Sequence, residues 1–179
     1  IYEVPMNLEE NGLADVVCKQ LGVANEKPAL TEWKAMVDKI KNPSKKTKIA
    51  VVGKYVELKD AYISIDESIK HAGYHQDINA EVTYIQAENL NLEDLKGFDG
   101  ILVPGGFGDR GVEGKIAAIK YARENKIPFL GICLGMQSAV IEYARSIMGW
   151  EAAHSAEFDS NTTHPVIDIM PDQKDVEMG

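Results

Sequence analysis

Five short runs rich in β-branched residues recur along most of the chain: "KIAVVGKY" (48–55), "AEVTYIQA" (80–87), "GILVPGG" (100–106), "IPFLGIC" (127–133) and "HPVIDIM" (164–170). Helical patterns separate several of them, notably Tyr62 to His71, Gly114 to Glu124 and Met136 to Ile147. A run that is apolar on both faces suits a strand covered on both sides, and strands alternating with helices build a parallel sheet. The expected fold class is therefore α/β, a doubly wound, mostly parallel sheet flanked by helices. In such sheets ligands sit outside the carboxyl ends of the strands, so the loops after the strands are where function is sought.

The rhythm starts only at Thr47. Before it, "IYEVPMNLEENG" reads as irregular, "LADVVCKQLGV" as helical, and "TEWKAMVDKI" as a helix N-capped by Thr31 with Trp33, Met36, Val37 and Ile40 on one face. "KNPSKKT" reads as a linker, because Asn-Pro breaks the helix and a charged run follows.

Composition removes whole classes of function. The 179 residues carry 45% apolar and 26% charged side chains, ordinary for a soluble domain, and no apolar run approaches the ~20 residues of a membrane helix. The first residues lack the basic-then-apolar pattern of a signal peptide, which leaves the cytoplasm as the expected location and no membrane as a partner. A formal charge of -9, with basic residues clustered only at Lys45, Lys46 and Lys48, argues against nucleic acid. The two cysteines, Cys18 and Cys133, have no framework spacing around them, so neither a disulfide scaffold nor a zinc site is expected. His71 and His75 have the spacing of a helical metal pair, but Gly73 lies between them and no carboxylate follows at matching spacing; they read as cations near a helix end, and no metal site is assigned. Lys54 in "VGKY" lacks the glycine and the hydroxyl residue of a phosphate-binding loop.

Two strand ends stand out. After "GILVPGG" comes "FGDRGVEG", and after "IPFLGI" comes Cys133 in "GICLG". A thiol at a sharp strand-to-helix turn projects into the ligand cleft, while Gly131 and Gly135 omit side chains that would collide with backbone or substrate. A helix starting near Leu134 turns its N-terminal dipole on the sulfur, which favours the thiolate, the attacking species. The Leu134 N–H would face the oxyanion of an attacked carbonyl, and the turn at Gly105 and Gly106 can supply a second donor. These residues together make an acyl-transfer site with Cys133 as nucleophile. Cys18, on an apolar helical stretch, reads as structural.

"PGGFG" followed by "GICLGMQ" resembles the class I glutamine amidotransferases. Within them, "VGKYVELKDAYISIDESIKHAG", "DGILVPGGFGDRGVEGKIAAIKYARENKIPFLGICLGMQ" and "AEFDS" are similar to the CTP synthase family along almost the whole chain from Lys48. The resemblance implies a flavodoxin-like amidotransferase domain over 47–179, a linker with a helix over 23–46, and the end of a synthetase domain over 1–22. It implies that Cys133 forms a thioester with glutamine, that Gly106, Leu134, Gly135, Met136 and Gln137 hold the glutamine and its oxyanion, and that Glu157, as a buried acid, receives the α-amino group. Phe107 and Arg110 resemble a loop that answers to GTP. ATP, Mg2+ and GTP are implied for the parent enzyme and none for this chain; the implied partners are L-glutamine, the synthetase domain that receives the ammonia, and the other subunits of a homotetramer.

One departure bears on chemistry. The family completes its triad with a histidine and a glutamate in a His-Pro-Glu motif, and no such motif occurs in these 179 residues. "HPV" at His164 opens an apparent strand and follows Cys133 too closely, so it receives no catalytic role. The chain, ending at "DVEMG", is read as a fragment of a longer enzyme, with weak or absent turnover of its own. Two other readings stay open: another cysteine hydrolase of the same architecture, such as a protease or deglycase, and a catalytically silent domain serving assembly or regulation.

Overall fold

The computed structural model describes residues 1–170 and Gln173, so the "DVEMG" end lies outside the described residues. The chain forms two compact units, residues 1–46 with 67–80, and residues 47–66 with 81 onward.

The first unit is helical. α1 (Val4–Glu10), α2 (Leu13–Leu21) and α3 (Thr31–Lys41) are joined by the second half of α4 (Ile63–Gln76). The expectation of an irregular start was wrong, because Pro5 falls in the first turn of α1, where its fixed φ helps and its missing N–H costs nothing. α2 ends where Gly22 takes the left-handed conformation and the Val23 N–H donates to the Cys18 carbonyl at 3.1 Å. Thr31 does not cap α3: Leu30 occupies that position, Thr31 is already helical, and of the expected apolar face Val37 alone is fully buried. α4 runs through Gly73 to Gln76 instead of ending there. His71 therefore sits inside the helix and not at its end, paired with the Tyr2 hydroxyl and packed against the rings of Tyr2 and Tyr74.

The second unit carries the expected α/β core. β1 (Lys45–Gly53), β2 (Ile78–Gln86), β3 (Gly100–Val103) and β4 (Phe129–Gly131) form one sheet in the order β2-β1-β3-β4, with β3 parallel to both neighbours. This is the opening of the flavodoxin-like order. Every residue of β3 is buried, as a central strand covered on both faces demands. The same expectation fails for β4, where Leu130 is 56% exposed, because β4 forms an edge of the sheet. α5 (Val112–Glu124) begins two residues before the expected pattern, and α6 (Leu134–Ser146) begins at Leu134, where the elbow reading puts its start.

Val52, Ile101, Val103, Ala118, Ile119 and Ala122 form the main core, and a second cluster joins Val112, Ile116, Leu134 and Ile141. Full burial of each larger aliphatic side chain contributes roughly 1.5–3 kcal/mol. The run at 164–170 was expected as a further strand of the rhythm. It supplies β6 (His164–Ile167), which pairs not with the main sheet but in parallel with a three-residue strand, β5 (Ala153–Ser155), in a separate two-stranded sheet. There His164 stacks on Trp150 with ring centroids 5.3 Å apart.

Candidate active site at the Cys133 elbow

Cys133 bridges β4 and α6 as the N-cap residue, with φ 53° and ψ -111°. Positive φ on a residue with a side chain is strained and persists only where the surroundings enforce it. Here they do. The Ile132 N–H donates to the Val103 carbonyl at 2.9 Å, the Gly135 N–H to the Ile132 carbonyl at 2.9 Å, and the Gln137 N–H to the Cys133 carbonyl at 3.0 Å. The thiol is exposed, unlike a core cysteine, whereas Cys18 is half-buried in α2.

Close approach explains the flanking glycines. A Cβ on Gly135 would stand 2.0 Å from the Val103 carbonyl oxygen, and one on Gly131 would stand 2.7 Å from the Gly135 carbonyl. Any side chain at either position would push the helix off the strand end and move the sulfur with it. The expectation that these glycines clear neighbouring backbone is met by these distances.

The glycine turn after β3 lies against the thiol. A Cβ on Gly105 would be 3.3 Å from the Cys133 Cβ and 3.9 Å from its Sγ, and one on Gly106 would be 4.0 Å from Leu134 Cδ2. Gly105, Gly106, Cys133 and Leu134 are thus brought together. The Leu134 N–H, first of its helix, has no intrahelical acceptor, as helix starts require. Gly135 is buried behind it, Gln137 is half-buried and Met136 is half-exposed.

The loop beyond the glycines is tied down from the side. Lys54 Nζ donates to the Phe107 carbonyl at 2.9 Å, and its backbone N–H donates to the Tyr62 hydroxyl at 3.0 Å. The Tyr62 ring stacks on Tyr84. Phe107 is 85% exposed, and Arg110 makes a loose ion pair with Glu88, its Nε 3.6 Å from Oε2. Glu157 sits in the turn after β5, where its N–H donates to the Ser155 hydroxyl at 3.2 Å. Its carboxylate is exposed, so the expectation of a buried acid is corrected: the turn that holds it has no element packed over it among the described residues.

One residue of the site escaped the sequence reading. Lys115, in the first turn of α5, is 0% exposed, and its Nζ has no hydrogen-bond partner among the described residues. That Nζ lies 3.5 Å from where a Gly106 Cβ would be. Burial pushes the amine below its ordinary pKa and the Lys54 charge pushes it further, with Cys133 acting in the opposite direction. A signal was present: Lys115 follows Val112 by three and precedes Ile119 by four, which puts it on the apolar face of its helix. Among the described residues no cluster of three or more His, Cys, Asp or Glu could hold a metal, and no helix is long and apolar enough to cross a membrane.

Comparison with known proteins bears on this geometry. The family described as Glutamine amidotransferase class-I matches residues 57–176. The CTP synthase of Bacillus cytotoxicus is 57% identical over 181 aligned positions, and that of Geobacillus kaustophilus is 59% identical; each alignment takes in 99% of this chain and 34% of the relative. The chain thus spans about a third of the length of the curated relatives it matches. A solved structure, the glutaminase domain of Trypanosoma brucei CTPS with bound acivicin, is 42% identical with a TM-score of 0.68, covering 72% of this chain and 52% of that one.

Proposed function

The chain belongs to the class I glutamine amidotransferase family, and from that membership we propose that it is the glutaminase portion of a CTP synthase, with Cys133 as its nucleophile. The observation that carries the reading is the enforced positive φ of Cys133 beside a glycine turn: an exposed thiol held in strain at a helix start, with backbone N–H groups close by.

The chemistry follows from that geometry. Cys133 Sγ, as the thiolate, attacks the side-chain amide carbon of glutamine, and the carbonyl oxygen becomes an oxyanion. The N–H groups of Leu134 and Gly106 stabilise it without reorganisation. Collapse expels ammonia, the leaving nitrogen having taken up a proton, and water then hydrolyses the thioester to release glutamate and restore the thiol. Gly135, Met136 and Gln137 shape the pocket, and the exposed Glu157 carboxylate receives the α-ammonium group as a charge-assisted hydrogen-bond partner. Phe107 and Arg110 form the segment responsive to GTP, in keeping with their exposure and loose pairing.

The remaining roles belong to a protein of the relatives' length. In it, residues 1–22 close a synthetase domain, 23–46 link it to the glutaminase, and 47–179 begin the amidotransferase domain. The synthetase part takes the ammonia and, with ATP and Mg2+, aminates UTP to CTP in the cytoplasm as a homotetramer. The base for Cys133 is then the histidine of the family's His-Pro-Glu motif.

Incubation with an electrophilic glutamine analogue, followed by intact-mass measurement and peptide mapping, tests the site. Acivicin is the first choice, since the Trypanosoma brucei structure carries it. Stoichiometric labelling of Cys133 and not Cys18, suppressed by free glutamine, is the expected result. Equal labelling of both cysteines, or labelling indifferent to glutamine, would sink the glutaminase reading and favour a silent or differently specific domain.

A further inference from the structure

Glycines 105 and 106 separate two groups that the proposed reaction does not connect: the Cys133 thiol on one side and the buried Lys115 amine on the other. We propose that Lys115 is a positioning residue for Cys133, a counter-ion that stabilises the thiolate across the Gly105–Gly106 turn. The inference rests on Cys133 being the reactive thiol of the site.

Three observations support it. First, Lys115 Nζ is wholly buried with no acceptor within hydrogen-bond reach among the described residues, so none of them compensates its charge by direct contact. A buried ammonium without a partner is retained at a cost unless some nearby charge offsets it. Second, the turn that Lys115 underlies is the one that touches the sulfur: Nζ is 3.5 Å from the Cβ position of Gly106, and Sγ is 3.9 Å from that of Gly105. Neither glycine carries a side chain, and the Leu134 side chain also borders the turn, its Cδ2 4.0 Å from the Cβ position of Gly106.

Third, the charges around Lys115 leave Cys133 as its counter-charge. The groups that bear on it are Lys54, which repels, and Cys133, which attracts. Two nearby acids are engaged elsewhere: Glu113 of α5 itself pairs with Arg145 at 2.9 Å, and Glu142 of α6 with Arg123 at 2.8 Å. When Cys133 loses its proton to solvent or base, one negative charge appears beside one uncompensated positive charge. The field of Lys115 therefore favours the thiolate, and the thiolate in turn holds Lys115 protonated.

The test compares alkylation of Cys133 by iodoacetamide at pH 7, resolved by peptide mapping, in the chain itself and in its Lys115→Met and Lys115→Arg variants. Cys18 in the same molecule is the internal reference. Lys115→Met should slow Cys133 about tenfold relative to Cys18, and Lys115→Arg, which keeps the charge, should restore most of the rate. An unchanged Cys133 to Cys18 ratio in Lys115→Met overturns the proposal, as does a loss that Lys115→Arg does not rescue in a folded protein. A second measurement needs no variant: in 13C-lysine-labelled chain, blocking Cys133 with iodoacetamide should move the Lys115 titration to lower pH. A titration that stays put once the thiolate is gone overturns the proposal equally. Protection of Cys133 by glutamine, read in parallel, bears on the glutaminase reading alone.

Discussion

The two ends of α5 each carry a basic side chain, exposed at one end and buried at the other, and they treat it in opposite ways. At the C-terminal end, Arg123 reaches Glu142 of α6 with three hydrogen bonds of 2.8–3.1 Å, and Glu142 is 2% exposed. At the N-terminal end, Lys115 is fully buried with no partner among the described residues. Arginine's planar fork suits a bidentate carboxylate, so the distal end is a satisfied clamp between two helices. The proximal end, next to the strained Cys133 and the glycine turn, holds an unsatisfied donor. The difference teaches where this domain keeps its stability and where it gives some up: strain and unpaired charge collect at the thiol, and the far end of the same helices compensates.

The largest effect should come from breaking the satisfied end. Arg123→Met leaves the buried Glu142 carboxylate without its partner and should destabilise the second unit by the largest margin of these changes, read as a lower urea midpoint with unchanged m. A loss near zero would mean that Glu142 finds another donor and that the two ends do not differ as described. Lys115→Met should act with the opposite sign. Removing an unpaired buried amine while keeping the chain length should raise stability by about 1 kcal/mol at neutral pH, seen as a higher melting temperature. Destabilisation by a similar amount would erase the contrast, since both ends would then be structural.

The smallest effect is a pH dependence that sharpens the clamp. Burial alone would raise the Glu142 carboxyl, but hydrogen bonds from Arg123 and Ser146, with the charges of Arg123 and Lys120, outweigh it and hold the carboxyl below the usual range. A carboxyl depressed in the folded state contributes stability that is complete above its unfolded value of about 4.3 and is lost as the pH falls through its lower folded value. Urea midpoints measured from pH 6 downward should therefore fall in the acid range, and Arg123→Met should flatten that fall.

Much of this was legible in the residues because the responsible interactions are local. The all-apolar "ILV" of β3 dictates a central strand, and two glycines four apart around a cysteine dictate a turn too tight for side chains. Part of what escaped reading depends on distant partners. β5 is three residues long and without β-branched character, so only its pairing with β6 makes it a strand. α1 was hidden by Pro5, which breaks a helix interior yet suits a first turn, and Glu157 was drawn as buried from its implied role when no element covers it among the described residues.

The sequence by itself determined the α/β alternation, the elbow at Cys133 and the glycines that make room for it, because strand period, helix period and backbone sterics act over a few residues. Only the tertiary structure decided that "HPVI" leaves the main sheet, that Gly105 rests against the thiol, and that Lys115 lies buried behind Gly106 while Arg123 finds a carboxylate. Burial and charge compensation are properties of what packs against a residue, and those neighbours come from other parts of the chain.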